Sequence, residues 1–320
     1  MSELCTVTSE STVPDLVGSS VNGYYLDRRL GEGAFSWVYS GTKGTECKSF
    51  KVAKPRQFAG RFDQTVCSAT QALVQITGAA LKVIPDSREL LSFEFTRLKA
   101  IKDSSIVTVD EYIGSADQCC YQAELISGDS LRRLFDERRA DPKTLVDLAS
   151  VLARLQEQNP KYVHGDLKPE NVLVTTAGIK LVDLGYFGLI KDWDGKEMNV
   201  AITTPAYYPY MKPNDLLAFG LILWESATGA NPLAQRDETV NDVLSADLAQ
   251  WIDNIASTGT RSFSGLRTID AETLKLIPEG LRNILLRGIN LRIDDQGKLA
   301  RADGYQNIAE LQRDLAKVYM

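Results

Sequence analysis

Apolar and polar positions change rhythm along this chain, and the changes mark its elements. In "YYLDRRLGEGAFSWVYSGTKGTECKSFKVAKP", Tyr24–Pro55, aromatic and β-branched runs alternate with Gly-rich turns. That pattern predicts three antiparallel strands. "DSRELLSFEFTRLKAIKD" shifts to a helical period, with Asp86 as N-cap and Glu89 three residues on as a capping box. The strand pattern returns in "IVTVDEYIGS" and "CCYQAELI". After Ser127 the pattern is mainly helical, broken by a hairpin-like "NVLVTTAGIKLVDLG". The longest apolar run, "LLAFGLILW" (Leu216–Trp224), is shorter than the ~20 residues that span a bilayer and reads as a buried helix.

A β-rich part followed by an α-rich part predicts an α+β fold with two lobes. We place the first lobe at 23–126 and the second at 127–320. Residues 1–22, rich in Ser, Thr and acids, read as a flexible leader. Residues 55–86 read as an insertion whose apolar spacing fits both periods. It is a regulatory device or an inert elaboration, and the pattern favours neither.

Composition narrows the function classes. Hydrophobic residues at 44% and charged residues at 24% are ordinary for a globular chain. The formal net charge of −6 argues against nucleic acid as main partner, because no broad cationic face exists to release counterions. Five cysteines without a C-x-x-C pair, and one histidine, cannot build a zinc set. We expect free thiols in a reducing, cytoplasmic compartment, no secretory signal and no membrane span. The oligomeric state is not legible.

The candidate chemistry begins at "GEGAFSWVY", Gly31–Tyr39. Glycines between two strands let backbone N–H groups approach phosphate oxygens, although a tight hairpin turn would use them equally. A strand follows rather than a helix, which disfavours a dinucleotide fold. In "SFKVAKP", Lys51 shares a face with Ser49 and Ala53, and Lys54 lies opposite with Phe50 and Val52. Small neighbours beside a nucleotide favour Lys51, unless both lysines are solvated. Glu94 shares a helical face with Leu91, Leu98 and Ile101, so it points inward and needs a cation. A Lys51–Glu94 pair satisfies both groups, against the plainer reading of a surface Glu.

"VHGDLKPENVLV" places Asp166, Lys168 and Asn171 in a loop ahead of a strand, and "VDLG" places Asp183 at the end of the returning strand. The hairpin folds Asp183 toward Asn171. A carboxylate and an amide oxygen at neighbouring strand ends suit Mg²⁺, which keeps waters and takes substrate phosphate as ligand. With a single histidine in the chain, a general base must be a carboxylate or water, and Asp166 is best placed.

The ordered set of Gly-loop, strand Lys, helix Glu, H-x-D-x-K-x-x-N and D-x-G resembles the eukaryotic-type (Hanks-type) Ser/Thr protein kinase family over about residues 23–320. Gly165 and the compact helical lobe are reminiscent of its bacterial members. The resemblance implies a two-lobed protein-kinase-like fold. It also implies ATP and Mg²⁺ as cofactors, and a protein substrate with a Ser or Thr hydroxyl, possible autophosphorylation included. Gly31, Glu32, Gly33, Ala34, Phe35, Ser36 and Val38 would cover ATP. Lys51 would hold the α/β-phosphates and pair with Glu94. Asp166 would orient the acceptor hydroxyl and take its proton, Lys168 would steady the γ-phosphate, and Asn171 and Asp183 would bind Mg²⁺. Ala123 would be a small gatekeeper, Glu124 and Ile126 would offer backbone groups to adenine, and Val38 and Leu173 would sandwich the base. Ser130 would join the nucleotide side. Asp215 would tie a central buried helix to the catalytic loop, which leaves His164 a packing role. "TTPAYY" points to the Ser/Thr class, with Thr204 bracing Asp166 and Lys168.

The chain departs from that family in places. Gly165 replaces an Arg that elsewhere binds a phosphorylated activation loop, so we expect activity without that switch. The tripeptide Ala-Pro-Glu is missing from "AYYPYMKPND", which would leave Arg301 or another late Arg without its usual partner. Leu184 stands for the Phe of D-F-G. Two other readings compete: a small-molecule kinase of aminoglycoside-phosphotransferase type, and a nucleotide-binding pseudokinase scaffold.

Overall fold

A computed structural model describes residues 15–33, 35–54, 73–75, 87–114, 119–191, 197–204, 207–208, 214–231, 271–293, 299–301 and 303–320. The first lobe is built on strands β1 (Ser20–Val21), β2 (Tyr24–Glu32), β3 (Ser36–Lys43) and β4 (Glu46–Ala53). These are the three strands the alternation predicts, preceded by a short one. β1 pairs with β2 across Asn22 and Gly23, whose φ angles of 51° and 80° suit a two-residue hairpin turn. The sheet therefore starts inside the stretch read as a leader. A second short strand, β5 (Leu73–Gln75), lies in the insertion.

Helix α1 (Ser87–Ala100) buries Leu90, Leu91, Glu94 and Leu98. The predicted cap Asp86 lies outside the described residues. Strands β6 (Val109–Gly114) and β7 (Cys119–Glu124) complete an antiparallel sheet in the order β1-β2-β3-β4-β7-β6. β6 begins later than "IVTVDEYIGS" suggests. Ile106 bridges to Leu181 instead, and Val107 N donates to Leu181 O at 3.0 Å, so this segment serves the second lobe.

The sheet has two apolar faces. One buries Tyr24, Leu26, Tyr39, Phe50, Val52 and Cys120 in a small core of its own. The other carries Tyr121 and Ala123 into a core that also holds Leu91, Leu167, Leu181 and the second lobe's helices. One continuous core thus crosses the boundary between the lobes, with the strand face that bears Lys51 above it. Cys47, Cys119 and Cys120 are free thiols, and Cys5 and Cys67 lie outside the described residues.

The second lobe contains β8 (Asp129–Ser130), α2 (Leu131–Asp136) and α3 (Pro142–Gln158), the last with Asp141 as N-cap and Pro142 at its first turn. The predicted hairpin is β9 (Val172–Thr175) and β10 (Gly178–Leu181), with β8 added at its edge. A second hairpin, β11 (Tyr186–Lys191) and β12 (Glu197–Thr203), was not evident in the sequence, and β5 pairs with β12, which becomes the middle strand. Helix α4 (Asp215–Thr228) is the predicted buried helix, capped by Asn214 and ended by Gly229 at φ 75°. Helices α5 (Ala271–Leu276), α6 (Glu279–Gly288) and α7 (Ile308–Tyr319), with hairpin β13 (Leu291–Ile293) and β14 (Leu299–Arg301), close the lobe. The side chain of Arg301 lies outside what is described. Among the described residues, no helix is long and apolar enough to cross a membrane.

Candidate active site

The glycine turn joins β2 to β3. Gly31 pairs with Val38 in the ladder, and Gly33 N donates to Ser36 O at 2.8 Å, closing the tip. A Cβ at Gly31 would meet nothing within 4 Å, so the space beside that strand end is open. Ala34 lies outside the described residues. Phe35 O accepts Lys54 N at 2.8 Å, and Ser36 is buried.

Lys51 of β4 and Lys54 just beyond its end part as alternation predicts. Lys54 turns outward to Glu32 at 2.6 Å and lies 5.4 Å from the Trp37 ring centroid. Lys51 turns inward, and its Nζ donates to Glu94 Oε2 at 2.8 Å, Glu94 Oε1 at 3.0 Å and Asp183 Oδ1 at 2.9 Å. Burial works against the Lys51 charge, but Asp183 and Glu94 outweigh it and hold its pKa well above 10.5. Burial raises the Glu94 carboxyl above its ordinary range despite Lys51. Asp183, also resisting burial, is drawn below its ordinary range by Lys51. Asp183 has φ 58°, a left-handed conformation that costs a non-glycine residue about 1–3 kcal/mol and persists only where contacts enforce it. Its bond to Lys51 is such a contact.

The loop that carries Asp166 is fixed from below. Asp215, first residue of α4, accepts His164 N at 2.6 Å through Oδ2 and Gly165 N at 3.1 Å through Oδ1. Gly165 has φ 82°, a conformation glycine adopts without strain, which accounts for a glycine beside the acid. His164 is fully buried, and its Nδ1 accepts Asp166 N at 3.3 Å. Burial keeps its pKa below 6.5, so it serves as a neutral packing and acceptor group.

Asp166 itself receives four donors. Thr204 N and Oγ1 reach Oδ1 at 2.9 and 2.7 Å, while Asn171 Nδ2 and Lys168 Nζ reach Oδ2 at 3.0 and 3.2 Å. Lys168 Nζ also donates to Thr204 Oγ1 at 2.9 Å. Burial opposes the Lys168 ammonium, yet Asp166 and Glu170 raise its pKa above 10.5. The expected trio of Asp166, Lys168 and Thr204 therefore forms one hydrogen-bonded unit.

A divalent ion fits the donor set. Asn171 Nδ2 also donates to Asp166 O at 2.8 Å, which turns the amide oxygen away from those acceptors. Lys51 occupies Oδ1 of Asp183, and the Asp183 side chain keeps 41% of its surface exposed. An amide oxygen and a carboxylate oxygen are thus available, the hard donors Mg²⁺ takes.

On the nucleotide side, Ser49 lies on the Lys51 face, and its hydroxyl donates to Glu124 O at 2.8 Å. Ala123 is buried, and Ile126 is half-buried against the main core. Ser130 pairs with Leu173, which brings the end of this connection beside one expected wall of the base site. The Ser130 hydroxyl oxygen accepts Arg133 N at 3.2 Å as the cap of α2, which is reason enough for a serine there. Val38, the other expected wall, is half-buried and pairs with Lys51.

Sequence reasoning missed several positions. Arg132 Nε donates to Glu170 at 2.7 Å, its Nη1 to Glu225 at 2.7 Å and its Nη2 to Tyr207 OH at 2.8 Å, and Tyr207 OH donates to Glu225 at 2.6 Å. This cluster holds Tyr207, one of the described residues of the stretch that lacks Ala-Pro-Glu. Tyr208 OH donates to Asp215 Oδ1 at 2.6 Å and accepts Leu167 N at 2.8 Å. Arg97 reaches two backbone carbonyls near Asp183 and His164. The partners of Arg132 in Tyr207 and Glu225 are 75 and 93 residues away, so no local period reveals them.

The chain is similar to known proteins. The chain is 28% identical over 232 residues to human "Serine/threonine-protein kinase ULK3", a match covering 68% of this chain and 44% of that protein. It is 27% identical to Caenorhabditis elegans "Serine/threonine-protein kinase dkf-1", covering 69% of this chain and 30% of that one. The chain thus spans under half the length of these relatives. The crystal structure of a mutant form of the Mycobacterium tuberculosis PknI kinase domain superposes with TM-score 0.55 at 15% identity, covering 95% of this chain and 99% of that one, which is a likeness of fold. Residues 24–285 match the protein kinase domain family, a span that takes in the glycine turn, the Lys51–Glu94 pair, the catalytic loop and α4, and the chain belongs to that family.

Proposed function

We propose that this protein transfers the γ-phosphoryl group of ATP to serine and threonine hydroxyls of protein substrates. The observation that carries the reading is the meeting of Lys51 and Asp183 at 2.9 Å within the same site as the Asp166–Lys168–Thr204 unit. A cation from the sheet lobe meets Asp183, and Asn171 Nδ2 links the two acids by donating to Asp166 Oδ2 at 3.0 Å and to Asp183 O at 3.4 Å.

In this reading the glycine turn and Val38 cover the nucleotide, and Leu173 supports the base from below. Lys51, held by Glu94, neutralises α/β-phosphate oxygens. Asn171 and Asp183 hold the divalent ion, which supplies charge neutralisation on the triphosphate when bound. Asp166, its carboxylate fixed by four donors, orients the acceptor hydroxyl and takes its proton as the new oxygen–phosphorus bond forms. The bond from the γ-phosphorus to the bridging oxygen breaks, and its electron pair leaves on the diphosphate. Lys168 neutralises charge growing on the transferred group. Thr204 holds Asp166 and Lys168 in register and supports the Ser/Thr assignment, alongside the names of the relatives.

The test incubates the protein with labelled ATP and Mg²⁺, alone and with a generic basic protein. Lys51→Met and Asp166→Asn run beside the parent. We expect label on serine or threonine, reduced at least about 10²-fold by either substitution, the scale of losing one preorganised charge-stabilising group. Turnover confined to small alcohols, or nucleotide binding without transfer, would overturn the reading.

A further inference from the structure

Arg97 lies on α1 three residues beyond Glu94 and reaches into the second lobe. Its Nη1 donates to Gly185 O at 2.5 Å and its Nη2 to Val163 O at 2.5 Å. These carbonyls belong to different segments. Gly185 closes the Asp183-Leu184-Gly185 stretch, and Val163 immediately precedes His164. The two segments are joined by Gly185 N, which donates to His164 O at 2.9 Å. Their backbones are in direct contact, since a Cβ at Gly185 would lie 2.3 Å from Gly165 O. The guanidinium therefore spans carbonyls of two segments whose backbones touch at Gly185 and Gly165.

Aromatic contacts hold the same place. The guanidinium carbon lies 5.7 Å from the Phe93 ring centroid, and the Phe93 ring lies 4.6 Å from that of Tyr186, the residue after Gly185. A planar guanidinium presents two donors in a fixed fork to these carbonyls, whereas an ammonium is a point donor on a flexible stem.

We propose that Arg97 is a positioning residue that fastens α1, and with it Glu94 and Lys51, to the loops carrying Asp166 and Asp183. The site is then held together from within the first lobe, without an Arg at position 165 or a phosphate on the activation loop. The inference rests on the phosphoryl-transfer reading above. Loss of the fork lets α1 drift from the catalytic loop, and an error of about 1 Å in such a site costs about 10²-fold in rate.

The experiment compares the full chain with Arg97→Gln and Arg97→Lys by steady-state kinetics, thermal melting and backbone hydrogen exchange. For Arg97→Gln we expect kcat to fall about 10²-fold. KM for ATP should stay within a few-fold and the melting temperature near that of the parent. Exchange should accelerate at 163–166 and 183–186 but not in β2–β4. Arg97→Lys should recover part of kcat, and it carries the test if the Gln variant fails to fold. An unchanged kcat in both variants overturns the proposal, as does a loss of stability with exchange rising evenly through both lobes. If the parent transfers no phosphate, the functional reading falls, and the exchange pattern still decides whether Arg97 ties these segments.

Discussion

Asp103 shows how one residue can join the two lobes. It follows α1, and its carboxylate accepts Arg154 Nε and Nη2 of α3 at 3.0 Å each, together with Ser105 N at 2.8 Å. These donors draw its pKa, the Arg154 hydrogen bonds first, from 3.8 to about 2. The native state thus binds the proton more weakly than the unfolded chain. The resulting stability is fully present above pH 3.8 and is lost as pH falls toward 2. With the Asp103 side chain 5% exposed, the shift corresponds to about 2 kcal/mol. Asp103→Asn should therefore lower unfolding free energy at pH 7 by about that amount, with the gap narrowing below pH 4. Urea unfolding of both proteins across pH 7 to 3 measures it, and a gap that stays constant with pH would count against this account. At this scale the sequence speaks unevenly. Lys51 and Glu94 are legible because alternation and helical spacing assign each a face, and burial then demands the pair. Arg97 and Arg132 are not, because a long flexible side chain carries no period and its partners come from distant segments.

At the scale of elements, α4 carries most weight. It is apolar on nearly every side, which makes its burial readable, and Asp215 at its start accepts His164 N and Gly165 N ahead of Asp166. What the sequence does not disclose is how closely it packs on its neighbour. A Cβ at Gly220 would lie 2.3 Å from Gly288 O, so α4 and α6 touch backbone to backbone. Gly220→Ala should force them apart and destabilise the protein by about 1–3 kcal/mol, the usual range for overpacking. Thermal melting would show it, and a melting point equal to the parent's would sink the claim. The hairpin β9–β10 is legible from its alternation and its Thr-Ala-Gly turn. The hairpin β11–β12 is not, because β12 is also paired by β5 from an insertion whose apolar spacing fits either period.

At the scale of the molecule, the two lobes are joined by side chains already present in the unmodified chain. Lys51 bonds Asp183, Arg97 bonds Gly185 and Val163, and Asp103 bonds Arg154. Beyond Thr204, the Tyr207 and Tyr208 hydroxyls bond Glu225 and Asp215. Gly165 has no side chain with which to read a phosphate. Thr203→Ala, and phosphatase treatment of the parent, should therefore leave the initial rate on an exogenous protein substrate largely intact. A collapse of that rate would show that the site depends on a modified activation loop after all.

The chain's own order of residues determined the two-lobed α+β plan, the faces of β4 and α1, and the grouping of Asp166, Lys168, Asn171 and Asp183. Each of these follows from local period or from a hairpin only a few residues long. Tertiary structure alone decided which cations bind the lobes together, where the insertion's strand pairs, and which side chains hold Tyr207 and Tyr208. Those contacts join residues tens of positions apart, and their energy appears only when burial removes water from charges and carbonyls that a local pattern cannot bring into contact.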